Sequence, residues 1–166
     1  APKGTVKLVT IYVNSLQFDS HDDYNHYPRT IKDDIQKCRE KNVDVVYAPK
    51  LNISDEFDCK KNIDLPKFTR YLCGATRTNH FVGVFKIVKY LFSITNPDYA
   101  CFGKKDFQQL LLIKYLAKTY FPNIQIIDVD TVRENNIALS SRLKRVGKEY
   151  LENYEAIYNI LINIRK

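Results

Sequence analysis

The residues best equipped for chemistry form one run, Asp98-Tyr-Ala-Cys-Phe-Gly-Lys-Lys-Asp-Phe-Gln-Gln109. A short apolar strand runs into a glycine, then two lysines and an aspartate, and then a helix that opens with two glutamines. An α/β protein builds an anion site in this way. The glycine lets the backbone turn tightly, the new helix points N–H groups at a phosphate, and a lysine adds charge. The run is expected to mark the mouth of an active site.

Four other groups carry polar residues at suggestive spacing. In Val13-Asn-Ser-Leu-Gln-Phe18, the amides of Asn14 and Gln17 leave a strand end. They suit a surface turn, or, if buried, recognition of hydroxyls and a carboxylate without charge. In Arg77-Thr-Asn-His80, the histidine either orients the start of a helix or stands near a phosphate. Leu139-Ser-Ser-Arg142 reads as a helix cap, or as a second anion clamp on the same rim. Asp33 and Asp34 are a solvated first helical turn, or a direct or outer-sphere magnesium site. No Ser–His–acid triad and no Walker A loop can be read, and the missing GxGxxG fingerprint disfavours a nicotinamide oxidoreductase.

The elements that must position these residues alternate. Thr5–Val13 is a strand by β-branched content, and Val43–Tyr47 is a second, closed by Pro49. Between them Tyr27-Pro28 and Thr30 suit a helix start, with Asp33 and Asp34 in the first turns and Lys41 near the end. Residues 50–66 read as an irregular excursion. Phe81, Val84, Phe85, Val88, Leu91 and Phe92 follow a helical period that ends before Asn96-Pro97. Asp98–Phe102 is a strand, Phe107 to about Tyr120 a helix, and Ile124–Val129 a strand. Residues 148–164 carry Tyr150, Tyr154, Ile157, Leu161 and Ile164 at helical spacing. Such alternation predicts an α/β parallel sheet with helices on both faces, with ligands outside the carboxyl ends of its strands. All the polar groups after strands sit at such ends.

Composition bounds the rest. The 166 residues suffice for one domain, expected over 1–166, and are 45% hydrophobic and 27% charged, an ordinary globular balance. No apolar run reaches a membrane span, and no signal peptide is expected at the start. The chain does not begin with methionine, so its natural start is expected to lie elsewhere. A net charge of +7 fits either a lysine-rich solvated surface or nucleic-acid binding. With no RNA-binding aromatic strand and no zinc-finger spacing, a site for anionic small molecules uses that charge more economically. Cys38, Cys59, Cys73 and Cys101 have no C-x-x-C spacing; they read as reduced cysteines of a cytoplasmic protein, with Cys101 packed in the core.

Taken in order, Ile11-Tyr-Val-Asn-Ser-Leu-Gln-Phe18, Tyr27-Pro-Arg-Thr30, Val43–Pro49, His80-Phe-Val-Gly-Val84, Pro97-Asp98 through Gln109, and Ala138-Leu-Ser-Ser-Arg142 resemble the pantoate–β-alanine ligase family. The resemblance runs in one register over about residues 6–142. It implies a Rossmann-like nucleotidyltransferase fold and a two-step reaction with ATP and Mg2+. Pantoate would attack the α-phosphate to give pantoyl adenylate and pyrophosphate; β-alanine would then displace AMP and yield pantothenate. Position by position, it implies that Gln17 and Gln109 hold pantoate, with Asn14 shaping the pocket. Gly103 and Asp106 would bind the ribose, Lys105 the phosphates, and Val132 the adenine side. Ser140, Ser141 and Arg142 would clamp the phosphates, and with Lys105 they are the expected catalytic groups. Arg77 and His80 fall in a matching loop, and Asp33 and Asp34 align with acids near a metal site. The resemblance also implies a homodimer.

The family's opening strand, its Pro-Thr-Met-Gly turn, its H-x-G-H helix start and its C-terminal lid domain have no counterpart here. The chain is therefore expected to be a piece of a longer protein, or a relative whose sheet closes differently. Two functions follow from this: an ATP-dependent ligase, or an inactive relative that binds a nucleotide or pantoate as a partner module. RNA contact through the basic surface is a third option, marked by a steep salt dependence.

Overall fold

The computed structural model describes residues 4–49 and 63–164. Cys59 and most of the expected excursion over 50–66 lie outside them. The chain divides into two compact units, Ala1–Ile94 and Thr95–Lys166, and each is described by itself.

In the first unit, β1 (Leu8–Thr10) runs parallel to β2 (Val45–Tyr47), in the register Leu8↔Val45, Val9↔Val46, Thr10↔Tyr47. The Ile11 amide donates to the Tyr47 carbonyl at 2.9 Å and carries the pairing one residue further. The strand expected over Thr5–Val13 is thus shorter, because a ladder extends only as far as its partner. Parallel strands need a crossover, and this one holds α1 (His21–Asn25) and α2 (Ile31–Glu40). Ser20 caps α1 through its hydroxyl, and Asp22 and Asp23 favour the positive end of the same helix.

Behind a short α3 (Cys73–Thr76) comes α4 (His80–Thr95). Its buried Phe81, Val84, Phe85, Val88 and Phe92 form one apolar stripe at helical spacing. Asn96, at φ 37°, and Pro97 end it.

In the second unit, β3 (Tyr99–Gly103) pairs in parallel with β4 (Gln125–Val129) over five residue pairs. The crossover is α5 (Phe107–Tyr120), which packs on both strands. Its Leu110, Leu112, Ile113 and Leu116 are fully buried and form the core of this unit. β3 alternates exposed and half-buried residues, and Cys101 falls with Tyr99 and Gly103 on the exposed side. The expected core role of Cys101 is therefore corrected by the pleat.

The hairpin β5 (Arg133–Glu134) and β6 (Ile137–Ala138) turns on Asn135 and Asn136, at φ 48° and 65°. A two-residue hairpin turn of this kind needs positive φ at both central positions, which asparagine tolerates. The chain then reaches α6 (Leu151–Ile164). Among the described residues no helix is long and apolar enough to cross a membrane. Leu116 has 0% exposure, so Leu116→Ala should lower stability by about 2–5 kcal/mol in urea unfolding.

Candidate functional site

The first unit brings four of the expected residues together. After β1 the chain enters a 3₁₀ turn, Ser15–Gln17, whose N-cap is Asn14. Asn14 is buried, so its amide must find partners. Its Oδ1 accepts from the Leu16 amide at 3.3 Å. Its Nδ2 donates to the Gly83 carbonyl at 3.0 Å and lies 3.4 Å from Gln17 Oε1. The turn rests on the first turns of α4, where a Cβ at Gly83 would lie 2.6 Å from the Leu16 carbonyl. Only glycine permits that approach.

The Gln17 carbonyl receives Arg77 Nη2 and His80 Nδ1, each at 3.0 Å. A carbonyl only accepts, so His80 carries its proton on Nδ1. His80 is buried at the first position of α4 and orients that start, one of its two expected roles. Asp33 and Asp34 stand in the first turn of α2, and Asp34 accepts from the Thr30 hydroxyl at 3.2 Å. Among the described residues no group of three or more His, Cys, Asp and Glu could hold an ion. These two carboxylates are a partial donor set, suited to Mg2+ only where phosphate oxygens and water complete its shell.

In the second unit the Gly103–Gln109 run differs from expectation in one respect. Gly103 has an extended backbone, φ −76° and ψ 138°, with open space where a Cβ would stand. The turn comes instead from a 3₁₀ segment, Lys104–Asp106, which leads straight into α5. No side chain caps α5. Its N-cap residue, Asp106, pairs with Lys105 at 3.2 Å, and Gln109 is half-buried in the first turn. The mouth is thus a helix N-terminus beside a lysine, an arrangement fit for an anion.

Lys104, unassigned by the resemblance, reaches Asp130 just past β4 at 2.6 Å. The hydrogen bond and charge of Asp130 raise Lys104 above the ordinary lysine value, and Lys104 in turn holds Asp130 below the ordinary aspartate value. The pair ties the loops after β3 and β4 together.

Ser140 caps the 3₁₀ turn Ser141–Arg145, with its Oγ accepting from the Arg142 amide at 3.3 Å. The cap reading of Leu139-Ser-Ser-Arg142 therefore holds. Ser140 and Arg142 also line a cavity of about 430 Å³, with Arg133, Tyr154 and Tyr158. Arg133 stacks on the Tyr158 ring, 4.6 Å from its centroid. Val132 is exposed, and its carbonyl accepts from the Leu139 amide at the base of the hairpin. Arg77 Nε also lies 3.1 Å from Asp19 Oδ2, and sequence reasoning missed Asp19, Gly83 and the Lys104–Asp130 pair. A lone glycine in the apolar run Phe81–Val88 was the available signal for Gly83.

A family model described as Pantoate-beta-alanine ligase matches residues 2–166. Pantothenate synthetase of Wigglesworthia glossinidia brevipalpis is 36% identical across 99% of this chain and 58% of its own length. That of Vibrio parahaemolyticus is 45% identical across 82% of this chain and 46% of its own length. The chain thus spans about half the length of the curated relatives it matches. Among solved structures, pantoate–β-alanine ligase from Francisella tularensis, complexed with beta-gamma ATP and β-alanine, superposes with a TM-score of 0.88. It is 35% identical, over 96% of this chain and 62% of that one. Pantothenate synthetase from Thermus thermophilus gives 0.85 at 31% identity, over 93% and 57%. The fold is the expected Rossmann-like nucleotidyltransferase fold.

Gly83→Ala should push the Asn14–Gln17 turn off α4 and cost about 1–3 kcal/mol, read as a lowered melting temperature. The Lys104–Asp130 pair sets a pH dependence with two edges. Its contribution is present above the ordinary aspartate value and is lost as pH falls through the lowered value of Asp130. It is present below the ordinary lysine value and lost as pH rises through the raised value of Lys104. A carboxyl NMR titration should find Asp130 below its ordinary value, and Lys104→Ala should return it there.

Proposed function

Because this chain belongs to the pantoate–β-alanine ligase family, we propose that it serves an ATP-dependent ligase that joins pantoate to β-alanine. The observation that carries the proposal is the family match over residues 2–166, with the Asn14 amide bonded to Gly83 and the Gln17 carbonyl held by Arg77 and His80 at a strand end. The Francisella relative, complexed with beta-gamma ATP and β-alanine, supports those two substrates.

In the first step a pantoate carboxylate oxygen bonds to the α-phosphorus of ATP, and the bond to the bridging oxygen breaks, releasing pyrophosphate. In the second, the β-alanine amine attacks the acyl carbon of pantoyl adenylate, loses a proton, and AMP leaves. No protein nucleophile is needed, so catalysis is positioning plus neutralisation of phosphate charge. Gln17 and Gln109 hold the pantoate hydroxyls and carboxylate, with Asn14 shaping the pocket. Gly103 leaves the ribose room, and Asp106 accepts from its hydroxyls. Lys105, Ser140, Ser141 and Arg142 donate to the phosphates, and Val132 meets the adenine. When bound, Mg2+ adds positive charge beside the phosphates, and Asp33 and Asp34 are the candidates to hold it. Arg77 and His80 act on the pantoate side through Gln17. The same reading takes the protein as a cytoplasmic homodimer.

The full-length protein, given ATP, pantoate and β-alanine, should release AMP; a folded protein that never does so sinks the ligase reading. Retained pantoate or nucleotide binding would then identify a non-catalytic relative. Lys105→Ala should weaken ATP binding at least about tenfold, as loss of a charged hydrogen bond does, and Gln109→Ala should weaken pantoate instead. If both variants bind both ligands normally, these site assignments are wrong.

A further inference from the structure

We infer that Asp19 is a positioning residue for the pantoate-binding turn, an inference that rests on the ligase reading above. Asp19 Oδ2 lies 3.1 Å from Arg77 Nε, while Arg77 Nη2 donates to the Gln17 carbonyl at 3.0 Å. A guanidinium is a rigid planar fork, so fixing Nε at one carboxylate fixes the direction of Nη2. Asp19 and the Gln17 carbonyl therefore take adjacent donors on one edge of a single guanidinium, from one short stretch of chain. Phe18 between them is anchored as well, edge-on to the rings of Tyr24 and Tyr27 at 5.4 and 5.3 Å.

The consequence falls on the Gln17 side chain. Its carbonyl takes two donors, Arg77 and His80, as many as its two lone pairs accept, and together they restrain the plane of the following peptide. That plane restrains, through ψ, the Cα–Cβ bond by which the Gln17 side chain leaves the backbone. The Arg77 and Asp19 side chains are 36% and 30% exposed. Without Asp19, the guanidinium has solvent within reach and no second anchor, and Gln17 keeps only the His80 bond on its carbonyl. Asp19 need not touch pantoate to govern how well Gln17 meets it.

The test uses the full-length protein, with pantoate and ATP each titrated by calorimetry and KM and kcat measured for pantoate. Asp19→Ala should raise the Kd and KM for pantoate about fivefold, the scale of a partly exposed ion pair. Its ATP affinity should stay within about twofold of the parent, as for a site with no shared partner. Asp19→Glu should recover part of the loss. Arg77→Ala added to Asp19→Ala should cost less than the sum of the two single changes, because both release the same carbonyl. Parental pantoate affinity in Asp19→Ala overturns the inference and leaves the ligase reading intact. An equal fall in pantoate and ATP affinity with a lowered melting temperature also overturns it, since that is general structural damage. A parent protein that binds ATP and never pantoate overturns both.

Discussion

A buried primary amide governs the first unit. Asn14 has two donors and an acceptor to satisfy away from water, and an unmade bond there would cost about 1–3 kcal/mol. It meets the requirement by joining its own turn to the backbone of α4, through the Gly83 carbonyl. That bond demands near contact between two stretches of main chain, and the missing side chain at Gly83 makes the contact possible. Once the turn is seated, Arg77 and His80 reach the Gln17 carbonyl. Gln17 thus inherits its direction from a packing decision taken on a helix.

The second unit solves a different problem with weaker forces. The loops after β3 and β4 carry exposed pairs, Lys104 with Asp130 and Lys105 with Asp106. Pairs of this kind contribute little stability in water. They do keep long, cationic side chains near the carboxyl ends of β3 and β4. Under the proposed function, a phosphate that meets Lys105 would compete with the Asp106 carboxylate for it. The rigid part of the unit is the apolar underside of α5, where Leu112, Ile113 and Leu116 are sealed from water.

Much of this was legible in the residues alone. The α4 and α5 stripes follow from apolar spacing, and their observed limits, His80–Thr95 and Phe107–Tyr120, match the punctuation of Pro97 and the lysine-rich loop. The polar runs were recognisable as strand-end groups because a parallel sheet offers few other places for them. Three features were hidden for physical reasons. Asp19 looks like any turn aspartate until a residue 58 positions away meets it. The extended backbone at Gly103 shows that a glycine at a strand end does not always mark a tight turn; a Cβ there would meet open space. Strand lengths were overstated because β-branched content reports local preference, whereas a ladder ends where its partner ends. The asparagine pair of the 133–138 hairpin is readable as a turn, but strands of two residues carry no alternation to go with it.

The Asn14–Gln17 turn also has a history in time. Its three fastening bonds, to Gly83, Arg77 and His80, join residues 69, 60 and 63 positions apart. Contacts of such sequence separation carry a loop-closure cost that local contacts do not. During synthesis the turn leaves the ribosome well before the helix that seats it. The Asn14–Gln17 turn therefore takes its final seat only when the start of α4 has arrived.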